Sequence, residues 1–109
     1  MKINTSKPRA RVGLILPSSN RMLEPHAANY APHDVAWHVT RLRMTGPYFM
    51  PIDELIPKVT EAARLLYDAK CDPIVFHCTA NSMSDGIKGE ARIKNAIEKA
   101  SKRPAITTA

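Results

Sequence analysis

Four short apolar runs, separated by segments of helical periodicity, most constrain what this 109-residue chain can fold into. The first run, RVGLIL at residues 11–16, is nearly continuous in its apolar character, which is typical of a central parallel strand covered on both faces. The second, VAWHVTRLRM at 35–44, alternates apolar and polar residues and predicts a strand with one face toward water. Two further strands are predicted at 73–77 and from 104 onward.

Helices are predicted in the three intervals between these strands. They cover residues 21–30, residues from 53 or 54 to 69, and residues 87–101. The middle helix has the clearest apolar face, made by Leu55, Ile56, Val59, Ala62, Ala63 and Leu66. Strict alternation of strand and helix predicts an α/β fold: three layers around a doubly wound, flavodoxin-like parallel sheet of four strands in the order 2-1-3-4.

Length and composition predict one globular domain over residues 1–109, with 44% hydrophobic and 24% charged residues. A net charge of +6 favours anionic partners. The basic residues are scattered and only 6% of residues are aromatic, so nucleic acid is not expected as a partner. Glycine motifs that cradle nucleotide phosphates are absent from the sequence. The apolar run at 12–16 is too short for a membrane span, and no membrane association is expected.

The two cysteines, Cys71 and Cys78, do not have the spacing of a metal site, and no metal is expected. If the residues between them form a strand, the two thiols lie about 20 Å apart, too far for a disulfide. Free thiols indicate a reducing compartment, so a cytoplasmic location is expected.

The strand order predicts where chemistry would occur. Ligands bind at the carboxyl ends of parallel strands, at the point where the chain reverses direction, and here the ends of strands one and three are neighbours. Asn20 follows strand one and Cys78 follows strand three, so both are expected to face one cleft. A thiol before a turn of small residues is a candidate nucleophile beside an anion-binding hole. The alternative is that Cys78 is a small buried hydrophobe, and His77 is expected to point to the opposite face.

Two motifs resemble a known family. RVGLILPSSNRMLEP at 11–25 and IVFHCTANS at 74–82 are similar to the N-terminal half of the Asp/Glu racemase superfamily, in the branch of maleate cis-trans isomerase and arylmalonate decarboxylase. Members are cofactor-free enzymes whose site lies between two similar domains, each contributing one cysteine. The resemblance implies that Cys78 is the first of these and that Asn20 binds a substrate carboxylate. Other residues that it places in the binding site are Ser18, Ser19, Thr79, Ala80 and Asn81.

The resemblance implies a cofactor-independent isomerase of a small dicarboxylate, with the C-terminal domain absent from this chain. In the decarboxylases the first cysteine position is typically glycine, so Cys78 favours isomerase or racemase chemistry. Two alternatives remain: a racemase or decarboxylase acting through a planar enediolate, and a non-catalytic domain that binds anions. The uncovered fourth strand is also a candidate surface for homo-oligomer formation.

Overall fold

The computed structural model describes residues 8–30, 32–43, 51–77 and 86–108. Four strands and three helices alternate along these ranges. The strands are β1 (Ala10–Pro17), β2 (Val35–Leu42), β3 (Ile74–Phe76) and β4 (Ala105–Thr107). The helices are α1 (Leu23–Tyr30), α2 (Ile52–Asp68) and α3 (Gly86–Ser101). None of the helices in these ranges is long and apolar enough to cross a membrane.

All strands are parallel, and their order in the sheet is β2-β1-β3-β4. The register aligns Leu14 of β1 with Val39 of β2 on one side and with Val75 of β3 on the other. Val75 is in turn aligned with Ile106 of β4. Right-handed crossovers in this order put α1 on one face of the sheet and α2 and α3 on the other. The predicted fold class and strand order are therefore confirmed.

The main core lies between the sheet and helices α2 and α3. Alternate strand residues point to this face, where Ile15, Ile74, Phe76 and Ala105 pack against the helices. The helices contribute Leu55, Val59, Ala62, Ala63, Leu66, Ile93 and Ile97. All five buried residues of α2 belong to the apolar face that the sequence predicts, while Ile56 is only partly buried.

Gly13 allows α2 and the start of β3 to approach β1 closely. A Cβ atom at this position would lie 2.9 Å from Cδ1 of Ile74, 3.0 Å from Cδ1 of Leu66 and 3.1 Å from Cβ of Cys71. These distances are shorter than ordinary carbon–carbon contacts, so a side chain here would push the packed elements apart.

The opposite face is covered less completely. Leu14 and Leu16 are buried there, but α1 buries none of its own side chains. A cleft of about 480 Å³ separates α1 from β1 and β2, and its lining includes Leu14 and Trp37. Farther along the sheet, Ile106 is 51% exposed. The three-layer arrangement is thus tight on one side of the sheet and loose on the other.

Candidate functional site

The turn after β1 forms the centre of the carboxyl edge of the sheet. The backbone N–H of Asn20 donates to the carbonyl of Pro17 at 3.1 Å, which closes a tight turn over residues 17–20. The N–H of Ser18 donates to the carbonyl of Leu42 at 2.7 Å, which ties the same turn to the end of β2. Ser18, Ser19 and Asn20 therefore lie together beyond the end of the central strand, as the sequence predicts.

Asn20 caps the turn that leads into α1. Its Oδ1 accepts hydrogen bonds from the N–H groups of Met22 at 3.0 Å and Leu23 at 3.1 Å, two donors that have no partner within the helix. The helix begins at Leu23 rather than at the predicted residue 21. Because the carboxamide oxygen is used by the helix, the NH₂ end of the same amide is the end that can donate to a ligand.

β3 ends directly beside β1. The N–H of His77 donates to the carbonyl of Ile15 at 3.0 Å, and Phe76 is aligned with Ile15 in the register. The last described residue after β3 thus lies one strand spacing from the end of β1, about 4.8 Å away in the sheet. The ends of β1 and β3 are therefore neighbours, as the sequence predicts.

His77 makes a defined contact of its own at this edge. Its Nδ1 lies 2.8 Å from Oγ1 of Thr108, the residue that follows β4. The same hydroxyl lies 3.5 Å from the carbonyl oxygen of Phe76. The ring of His77 is therefore engaged with the end of β4.

Several predicted site residues lie outside the described part of the chain, namely Cys78, Thr79, Ala80 and Asn81. Their distance from Asn20 stays a prediction, as does the role of each in binding or chemistry. The described residues define only the side of the edge that belongs to β1, β2 and the end of β3.

Cys71 lies at the opposite end of β3 from this edge. It is fully buried in the main core, and burial raises the pKa of its thiol, opposed only in part by the nearby Arg11. A protonated, inaccessible thiol is unreactive. Cys71 is therefore not a candidate nucleophile at the carboxyl edge of the sheet.

Arg41 is the residue at this edge that the sequence analysis does not single out. From β2 its Nη1 donates to the carbonyl of Asn20 at 2.6 Å and to that of Pro17 at 3.2 Å, while Nη2 pairs with Glu24. The sequence signal for this contact is an arginine near the end of a predicted strand, Arg41, together with an acid in the first turn of the preceding helix, Glu24.

Solved structures of arylmalonate decarboxylase and of maleate isomerase share this fold. A glycine-to-cysteine mutant of arylmalonate decarboxylase, in its sulfate-associated form, matches 89% of this chain with a TM-score of 0.77 and 23% identity. A cysteine-to-alanine variant of the maleate isomerase of Pseudomonas putida S16, solved with maleate, matches 90% of the chain with a TM-score of 0.68 and 28% identity. The chain has the fold of the N-terminal half of Asp/Glu racemase-type enzymes.

The maleate cis-trans isomerase of Nocardia farcinica, bound to TRIS, matches 91% of the chain with a TM-score of 0.72 and 21% identity. The chain spans about two fifths of the solved proteins: 41% of the decarboxylase and 44% of the Pseudomonas isomerase. No protein-family profile matches the sequence, and no curated protein does. The structural likeness at 21–23% identity establishes the shared fold.

Proposed function

We propose that this chain forms one half of the active site of a cofactor-independent isomerase that converts a small cis-dicarboxylate to its trans isomer. The observation that carries the proposal is the 28% identical likeness to a maleate isomerase solved with maleate, which extends over 90% of this chain. Asn20 supports it, because it lies just after β1 at the same edge of the sheet at which β3 ends. The other half of the site would come from a second domain or a second chain.

In the proposed reaction the Cys78 thiolate attacks one olefinic carbon of the substrate. A carbon–sulfur bond forms, the π bond breaks, and its electron pair moves onto the carboxylate conjugated with the other carbon, giving an enediolate. Rotation about the new single bond is followed by elimination, which restores the double bond in the trans geometry and releases the thiolate. No electron or atom is gained or lost overall, so the reaction needs no cofactor.

Hydrogen-bond donors at the edge would stabilise the charge of the enediolate. Asn20 would supply its NH₂ group, and the N–H groups and hydroxyls of residues 79–81 would complete the anion hole. The net charge of +6 favours approach of a dianion. The decarboxylase structures share this fold at 21–23% identity, which gives no separate support for decarboxylation.

Thiol labelling tests the assignment of Cys78. We expect iodoacetamide to modify Cys78 and to leave the buried Cys71 untouched in the folded protein, and we expect maleate to slow the modification. Peptide mass spectrometry measures both rates. Equal labelling of the two cysteines, with no protection by maleate, would show that no thiolate site exists here.

Substitutions at Asn20 separate carboxylate binding from helix capping. Asn20→Ser and Asn20→Asp keep an oxygen that caps α1, whereas both lack the amide donor, and the aspartate adds a charge that repels a dianion. We expect the free energy of unfolding of both variants to lie within about 0.5 kcal/mol of the wild-type value. We also expect maleate no longer to protect Cys78 from modification in either variant. Protection retained in Asn20→Asp would rule out a contact between this side chain and the substrate carboxylate.

A further inference from the structure

We infer that Arg41 is a positioning residue for Asn20, holding the turn at residues 17–20 so that the amide of Asn20 is aimed before substrate arrives. This inference rests on the proposed function of Asn20. It gives the ion pair of Arg41 and Glu24 a function, which is to hold Asn20 in place.

Arg41 is aligned with Leu16 of β1 in the sheet register, so its guanidinium reaches the turn from the adjacent strand. One nitrogen, Nη1, donates to two backbone carbonyls of that turn, those of Pro17 and Asn20. The other, Nη2, pairs with the carboxylate of Glu24 in the first turn of α1. A single planar group therefore joins the end of β1, the capping residue and the start of the helix.

Asn20 is consequently fixed at two points. Its carbonyl accepts from Arg41, and its Oδ1 accepts from the N–H groups of Met22 and Leu23. With the backbone and the amide oxygen both held, few orientations remain for the NH₂ group. Binding groups whose orientation is set in advance lose less entropy when the ligand binds, and small misplacements of such groups are costly.

The exposure of the ion pair indicates a geometric role. The side chains of Arg41 and Glu24 are 32% and 48% exposed, and pairs this exposed add little to stability. An arginine is nevertheless required by the geometry, since its fork can serve three acceptors in one plane, which the single ammonium of lysine cannot reproduce. Removal of the fork should loosen the turn while the rest of the sheet stays folded.

The experiment compares Arg41→Gln and Arg41→Lys with Arg9→Gln in the 109-residue chain. Arg9 forms an exposed ion pair with Asp34 before the start of β1, so its loss removes the same charge and a similar bridge at the opposite end of the strand pair. Two quantities are measured by NMR: the exchange rates of the Met22 and Leu23 amide protons, and the dissociation constant of maleate. Thermal unfolding monitors the fold of each variant.

In Arg41→Gln we expect the two amide protons to exchange at least about threefold faster, with the amides of β1 unchanged. Maleate affinity should fall about tenfold in Arg41→Gln, less in Arg41→Lys, and not in Arg9→Gln. Unchanged exchange at Met22 and Leu23 would overturn the inference whether or not maleate binds. An equal loss of affinity in the Arg9 and Arg41 variants would also overturn it, since net charge would then be the cause. If exchange is faster in Arg41→Gln but the wild-type protein does not bind maleate, Arg41 holds the turn as inferred and maleate is not the substrate.

Discussion

At the scale of single residues, Asn20 shows how one side chain can serve both the fold and a site. The oxygen of its carboxamide satisfies two N–H groups at the start of α1, and its other end remains a hydrogen-bond donor. A serine or aspartate would cap the helix as well, because capping requires only an oxygen. The amide offers two further N–H donors, where a serine hydroxyl has one and an aspartate carboxylate has none, which is the chemical reason for proposing a ligand at this position.

Cys71 gives the pH dependence expected of a buried thiol. Burial raises its pKa in the folded protein, so the unfolded chain loses its thiol proton first as the pH rises past roughly 8.5. The folded state then holds more protons than the unfolded state, and the free energy of unfolding falls with increasing pH. We expect Cys71→Ala to show a shallower fall than the wild type between pH 8 and pH 10 in urea titrations.

Cys78→Ala is the matched control for this experiment, and we expect it to retain the steep fall of the wild type. Identical slopes in the wild type and in Cys71→Ala would mean that other groups cause the alkaline loss of stability. The loss of stability that Cys71→Ala causes at neutral pH does not affect the comparison, because only the change in the free energy of unfolding with pH is used.

At the scale of elements, α2 ends in a conformation that is unfavourable for its sequence. Lys70 has a φ angle of 58°, the left-handed region in which glycine is preferred. The hydrogen bonds are those of a Schellman motif, in which Cys71 N–H donates to the Leu66 carbonyl at 3.3 Å and Lys70 N–H to the Tyr67 carbonyl at 2.9 Å. The side chain of Lys70 therefore opposes a turn that the backbone requires.

Lys70→Gly should accordingly raise the free energy of unfolding by about 0.5–1 kcal/mol. The same substitution at Lys58, an exposed position inside α2, should lower it by about 1 kcal/mol, because glycine is a poor helix former. The two variants lose the same charge, so the opposite signs isolate the backbone effect. Destabilisation by both would show that Lys70 is not in a left-handed conformation in solution. Urea denaturation at pH 7 measures both values.

The elements of this fold could be predicted from the sequence because each carries a strong periodic signal. The apolar spacing of α2 identifies the residues that are buried, and the run at 11–16 identifies the central strand. The contacts of Arg41 could not be predicted in this way. They depend on the register between β1 and β2, which brings a residue of one strand beside the turn of another. Apolar alternation excludes a slip of one residue, which would exchange the two faces, but it does not distinguish registers that differ by two residues.

At the scale of the whole molecule, the sheet is covered unevenly by the described helices. The face toward α2 and α3 contains the main core, whereas on the other face α1 stands off the sheet and Ile106 is half exposed. β1 and β3 both have a neighbouring strand on each side. Of the described strands only β1 also has adjacent buried residues, Leu14 to Leu16, which point alternately to the two faces of the sheet. This explains why its sequence is continuously apolar while that of β2 alternates.

Adjacent residues of β4 test this difference between the faces. Ala105 belongs to the main core and is 4% exposed, while Ile106 points to the other face and is 51% exposed. We expect Ala105→Lys to lower the free energy of unfolding by more than about 3 kcal/mol, since it places a charge in the core, and Ile106→Lys to lower it by less than about 1 kcal/mol. Both variants add one positive charge, so urea denaturation compares position alone. A large loss in Ile106→Lys would mean that this face is buried in the folded protein. Sedimentation velocity would then show whether a second copy of the chain covers it.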